Sequence, residues 1–180
     1  MTYLDQEKIS KIEKELGPLS QTFDLIDDHI IITDPDANII YANRATEYNT
    51  GYSREELIGK RPNVWGNNMP KSFYEDMWRR IKIDKKPFVG EVKNKKKDGT
   101  EYWQELRIYP VLDEKGEIKM FIGIEPNITA RKQAEGEQKK KFEEMDKLNQ
   151  YMTGRELKMV ELKKQVELLK NQPFSPSNNN

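Results

Sequence analysis

The spacing of hydrophobic positions changes repeatedly along this chain. Over residues 2–16, Leu4, Ile9, Ile12 and Leu16 fall on one stripe among lysines and glutamates, which predicts a short amphipathic helix. Gly17-Pro18 is expected to break it, and a second short helix is expected from Leu19 to Asp27, burying Phe23 and Ile26. The period then shortens to two. His29 to Thr33 and Ile39 to Ala42 read as strands, and the turn residues Asp34 to Asn38 between them predict a β-hairpin.

Helical spacing returns in short pieces. Asn43 to Asn49 can form a short helix closed at Gly51-Tyr52, and Ser53-Arg54-Glu55-Glu56 fits a capping box that Gly59 ends. Pro70 suits the first turn of a longer helix, in which Phe73, Met77 and Ile81 form one lane and Tyr74 and Trp78 the next. It is expected to end near Asp84-Lys85-Lys86-Pro87. Three extended runs follow, around Phe88 to Asn94, Tyr102 to Tyr109 and Glu117 to Pro126. Asp98-Gly99 suits a two-residue hairpin turn with positive φ at both central positions, and Asp113 to Gly116 is a second turn. The sum is an α+β layout: an antiparallel sheet of about five strands with helices across one face.

Alternation assigns faces within the second hairpin. Phe88, Gly90, Val92 and Asn94 share one, and Gln104, Leu106 and Ile108 share one on the next strand. A mostly apolar wall carrying two amides suits an enclosed ligand. Periodicity by itself favours the plainer reading, with both amides at strand ends and facing solvent.

From Thr129 onward the pattern is that of one long helix. Met145, Met152, Met159 and Val166 recur every seven residues, and Leu148, Arg155, Leu162 and Leu169 do the same at an offset of three. These are a and d positions, with Arg155 as a charged exception and Gly154 as a weak point. The expected partner is a second copy of the chain; the alternative is a helix folded back on its own sheet. Domains are accordingly expected over 1–18 (helix), 19–128 (sheet and short helices), 129–171 (coiled-coil helix) and 172–180 (a Pro/Ser/Asn-rich disordered tail).

Charge and composition mainly exclude. Lys+Arg and Asp+Glu are both 31, so no global basic field predicts a nucleic-acid partner. There is no cysteine, which removes disulfides, thiolate catalysis and cysteine-ligated metals and is compatible with a cytoplasmic home. No apolar run is long enough to span a bilayer. His29 is the only histidine, so no His-based dyad or His-paired metal site can be built in one chain, and at the head of a strand it reads as structural. Phosphate-loop and dinucleotide glycine motifs are absent. Lys95-Lys96-Lys97 reads as a solvated hairpin tip. No catalytic set is present, and the chain is not expected to be an enzyme.

Five segments in order, Asp34 to Asn43, Gly51 to Gly59, Lys97 to Trp103, Pro110 to Gly116 and Phe121 to Ile124, resemble a PAS sensor domain over roughly residues 20 to 132. The resemblance implies a five-stranded antiparallel sheet with flanking helices around a ligand pocket. Asn127-Ile128-Thr129-Ala130-Arg131 resembles the Asp-Ile-Thr signal that joins such domains to output helices, with Asn127 in place of the acid. Gly154 to Leu157 lies in a stretch that resembles linkers ahead of output domains in sensor kinases. Met69-Pro70-Lys71, Phe73, Asp76 to Trp78, Lys86 to Gly90 and Val92 to Asn94 resemble the flavin-binding PAS domains of aerotaxis receptors and the nitrogen-fixation redox regulator.

That likeness implies FAD as cofactor and Trp78, Phe88, Asn94, Gln104 and Glu125 as its contacts. It also turns Asn94 inward. Glu125 departs from the glutamine of light-sensing relatives, and a carboxylate cannot donate unless protonated. Those relatives also need a cysteine where Pro62 stands, so an adduct-forming photoreceptor is excluded. Haem-binding relatives use a histidine from the long helix, and residues 69 to 84 contain none. The expected function is a sensory module that relays ligand or redox state through a dimeric coiled coil to an output domain or partner protein. The alternatives are a sensor fragment of a histidine kinase and a ligand-free dimerisation module.

Overall fold

The computed structural model describes residues 17–66 and 68–170. The chain divides into two compact units, Met1–Lys132 and Gln133–Asn180. The helix expected over 2–16 and the tail expected over 172–180 lie outside the described residues.

In the first unit a helix over 17–23 (α1) leads into β1 (His29–Thr33), β2 (Ile39–Ala42), α2 (Arg44–Thr50) and α3 (Arg54–Leu57). A 3-10 turn (Pro62–Val64), α4 (Lys71–Trp78) and a π-helical turn (Arg79–Ile83) follow, then β3 (Phe88–Lys95), β4 (Glu101–Leu112) and β5 (Ile118–Glu125). The strands form one antiparallel sheet in the order β2-β1-β5-β4-β3, an α+β arrangement of the expected kind. The first and last strands are therefore neighbours, with His29 opposite Glu125.

β1 is apolar on both faces because both are covered. Ile30 and Ile32 pack with Ile40 and Tyr41, while Ile31 packs with Ile39, Leu57 and Trp65. α3 carries the expected capping box: Glu56 N–H donates to Ser53 Oγ, and Ser53 N–H donates to Glu56 Oε2. A third apolar cluster joins α4 and its π turn to the sheet through Met77, Ile81, Phe88, Val92, Leu106 and Phe121. Each such side chain stabilises the fold by about 1.5–3 kcal/mol when buried.

Three local expectations are corrected. Gly17 and Pro18 are already helical, α1 stops at residue 23, and Ile26 is exposed. The stop has a cause: Asn43 Nδ2 donates to the carbonyls of Phe23, Ile26 and Asp28, which bends the chain out of the helix. The β3–β4 turn is longer than two residues. Lys96 N–H bonds Thr100 O, Gly99 N–H bonds Lys96 O, and only Gly99 takes positive φ, so Asp98 keeps an ordinary conformation. β4 also continues through Pro110. β3 begins at Phe88, opposite Ile108, so Pro110 lies past the last β3 pairing, where no ladder bond needs its missing N–H.

The second unit is the helical chain from Gln133; its helix, α5, spans Thr129–Lys170. Met145, Leu148, Met152, Met159, Leu162 and Val166 are 49–57% exposed, so the heptad seam is uncovered in a single chain.

Candidate ligand-binding site

β3, β4 and β5 present alternate residues to α4 and to the segment around Trp65, and a cavity of about 460 Å³ lies between them. Most of its wall is apolar: Ile31, Met77, Trp78, Ile81, Val92, Leu106, Ile108 and Phe121. Trp78 meets Phe121 edge-on at 6.2 Å. Arg61 and Lys71 also border the cavity.

The polar end is made by Asn94 and Glu125, both on the wall and both buried. Asn94 Nδ2 donates to Gln104 Oε1 at 2.7 Å. Gln104 Nε2 reaches His29 Nδ1 at 2.8 Å and donates to the Glu125 backbone carbonyl at 3.3 Å. His29 Nε2 in turn faces Glu125 Oε2 at 3.8 Å, too long for a hydrogen bond. Four residues from four strands thus close a polar ring. The donor at Gln104 Nε2 makes His29 Nδ1 the acceptor, so the imidazole carries its proton on Nε2. Trp65 covers this histidine at a ring distance of 5.3 Å.

The ring is not saturated. Among the described residues, His29 Nε2, Glu125 Oε2 and the hydroxyl of nearby Tyr102 are buried without a hydrogen-bond partner. Burial pushes the Glu125 carboxyl up to about 8 and the His29 imidazole down to about 3. Both are therefore neutral near pH 7. Tyr102 is likewise raised, by burial first and by Glu125 second.

Of the residues expected at the site, Trp78, Asn94 and Glu125 line the cavity. Phe88 does not: it is pinned edge-on against Phe73 at 5.5 Å, over the space left by Gly90, where a Cβ would meet its ring at 2.9 Å. Gln104 does not line it either; its amide is used within the ring and is fully buried. Both amides are thus internal, against the solvent-facing reading from periodicity, because Val92↔Gln104 and Asn94↔Tyr102 pair on the sheet's covered face. His29 was legible only as a strand-head residue. Its approach to Glu125 depends on β1 pairing with β5 across 96 positions of sequence, which no local pattern reveals.

Beyond Glu125 the wall connects to the start of α5. Gln104 forms an isolated antiparallel bridge with Asn127. Asn127 Oδ1 accepts from Thr129 N–H, its Nδ2 donates to Asn49 Oδ1, and Thr129 Oγ1 accepts from Trp103 N–H. In the Asn-Ile-Thr-x-Arg joint, Arg131 bonds Glu91 at 2.8 Å.

Comparison with known proteins agrees with this architecture. The chain is 34% identical over 101 residues to a nitrogen fixation regulatory protein of Klebsiella oxytoca, covering 56% of this chain and 20% of that one. It is 33% identical over 125 residues to a blue-light photoreceptor of Listeria monocytogenes, covering 67% of this chain and 48% of that one. The chain thus spans about a fifth of the first relative and about half of the second. A solved PAS domain from Colwellia psychrerythraea superposes with a TM-score of 0.57 at 27% identity, over 64% of this chain and 98% of that one. With the PAS domain profile matching residues 27–130, and the sheet order and cavity described above, the chain belongs to the PAS domain family, a family of sensory and signalling modules.

Proposed function

We propose that the cavity binds a flavin, FAD, and that this module reports the flavin's state through its C-terminal helix. One observation carries the reading: an apolar, aromatic-walled cavity of about 460 Å³ has two buried polar side chains, Asn94 and Glu125, together at one end, and behind that wall Glu125 Oε2 has no hydrogen-bond partner among the described residues. That size suits a cofactor ring, and a buried polar atom without a partner is costly unless something fills the role. The pyrimidine edge of a flavin offers a ring N–H between two carbonyls. An amide at Asn94 and a neutral acid at Glu125 each offer one donor and one acceptor, which is the matching set. Trp78 supplies an aromatic wall for a planar ring, and Arg61 and Lys71 are cations bordering the same cavity. A bound flavin would supply redox chemistry. Cysteine is absent, so adduct formation with a thiol is not available.

Gln104 is the positioning residue of the relay. Its side chain orients Asn94 and the Glu125 backbone, while its backbone bridges Asn127, which holds Thr129. A change in hydrogen bonding at the cavity wall reaches the first residue of α5 through these contacts. The exposed heptad seam supports pairing with a second copy, and a dimeric helix pair with two packings of similar energy can carry the signal to an output domain or partner protein. Arg155 and Gly154 keep that seam from being too stable.

The absorption spectrum of the purified protein, before and after incubation with FAD, tests the cofactor. Bands near roughly 375 and 450 nm that stay with the protein through gel filtration are expected. A protein that remains colourless after reconstitution yet dimerises would favour the ligand-free dimerisation module instead.

A further inference from the structure

Glu125 stands in the cavity wall, and among the described residues no cation is placed to neutralise it. β1 presents His29 to it, β4 presents Gln104 and Tyr102, and β3 presents Asn94, none of them positive near pH 7. His29 cannot readily become the missing cation. A second imidazole proton would sit on Nδ1, facing the Gln104 amide N–H at 2.8 Å. That amide is held in orientation from both sides, by its bond to the Glu125 carbonyl and by the bond it receives from Asn94. The two cations bordering the cavity are exposed, and Lys71 pairs with Glu75 at 3.1 Å. Glu125 Oε2 has no hydrogen-bond partner among the described residues; His29 Nε2 faces it at 3.8 Å. An ionised carboxylate here would lack a counter-charge, and the donor aimed at it, His29 Nε2–H, lies at 3.8 Å, whereas a neutral acid lacks only an acceptor for its own hydroxyl.

We propose that Glu125 is a proton-bearing carboxylic acid that turns its O–H and C=O together toward a bound ligand, so that this wall selects planar heterocycles presenting a lactam or imide edge, a ring N–H beside a ring carbonyl. The acid then stands in for a primary amide: its hydroxyl donates to the ring carbonyl while its carbonyl accepts from the ring N–H. Ligand binding is thereby linked to a proton. Once Glu125 ionises, the donor is lost and a carboxylate oxygen faces the ring carbonyl, acceptor against acceptor. The ligand class rests on the flavin reading above; the protonation of Glu125 does not.

The test separates the two. The full chain, with 13C-labelled glutamate carboxyls, is titrated from about pH 6 to about pH 9 by NMR and infrared spectroscopy, in wild type and Glu125→Gln. Riboflavin is the binding probe, and 3-methylriboflavin, whose ring N–H is blocked, is its control. A protonated carboxyl at pH 7 that disappears at alkaline pH and is missing from E125Q supports the assignment. Riboflavin affinity should fall about tenfold per pH unit above that midpoint in wild type and stay level in E125Q, with 3-methylriboflavin binding at least tenfold more weakly. A Glu125 that is ionised at pH 7, read in wild type alone and so independent of how the variant folds, overturns the proposal even if riboflavin binds. A protonated Glu125 with no riboflavin binding keeps the proton assignment and removes the flavin.

Discussion

Two buried polar residues, Asn43 and Glu125, teach opposite lessons. Asn43 has used every hydrogen bond it can make. Its Oδ1 accepts from Ile30 N–H and from the N–H and hydroxyl of Thr46, and its two Nδ2 hydrogens are shared among the carbonyls of Phe23, Ile26 and Asp28, between the end of α1 and the start of β1. It caps α2 and ties α1 to β1, and nothing is left over for a ligand. Glu125 lies opposite His29 in the β1–β5 pair, is as deeply buried, lines a cavity, and leaves Oε2 without a hydrogen-bond partner among the described residues. Satisfied burial builds the fold; unsatisfied burial beside empty volume marks where chemistry from outside is needed.

The contrast is sharpest in stability. Asn43→Ala should cost about 4 kcal/mol, since it strands several buried donors and acceptors and removes a helix cap. Urea denaturation measures it. A cost below about 1 kcal/mol would mean the network is replaceable by water.

Glu125 should show itself through pH instead. Its ordinary value is 4.5 and burial raises it to about 8, so between those values the unfolded chain releases a proton that the folded chain keeps, and stability falls as pH rises. His29 works the other way: its ordinary 6.5 drops to about 3, so stability rises with pH between those limits. The two slopes cancel from about 4.5 to 6.5. Above 6.5 only Glu125 acts, and about 2 kcal/mol is lost by pH 8. Thermal or urea melts across this range should show a plateau and then a decline, and Glu125→Gln should abolish the decline. A wild type equally stable at pH 6.5 and 8 contradicts the account.

How much of this was legible in the sequence follows from the range of each interaction. β1 and β2 were readable to the residue, because an apolar run and a turn-rich segment are local signals. The Ser53 capping box was readable for the same reason. Alternation also sorted Asn94 and Gln104 correctly onto one face. It could not say that this face was covered, because the cover comes from α4 and the Trp65 segment, which are distant in sequence. The resemblance brought Asn94, Gln104 and Glu125 together, but His29's place in the polar ring was out of reach: it needs the β1–β5 pairing that joins the two ends of the domain. The end of α1 was misjudged because Asn43, not a residue of the helix, stops it.

Two smaller effects refine the contrast. Gly123→Ala places a Cβ 2.9 Å from Glu125 Oε1 and 3.0 Å from Ile31 Cγ1. It should cost about 1–2 kcal/mol and displace the Glu125 carboxyl. A variant of unchanged stability whose carboxyl titrates as in wild type would show that the wall is slack. Leu162→Glu, at an exposed seam position, should change the unfolding free energy of the PAS unit by less than about 0.5 kcal/mol while shifting light scattering from dimer to monomer. An unchanged dimer would place self-association elsewhere.

The central claim is that ligand binding reads the open polar end and leaves the closed one alone. Side-chain amide NMR during titration with FAD reports on both at once. The account predicts shifts of the Asn94 and Gln104 amide resonances with none at Asn43. Binding that moves neither Asn94 nor Gln104 would contradict it.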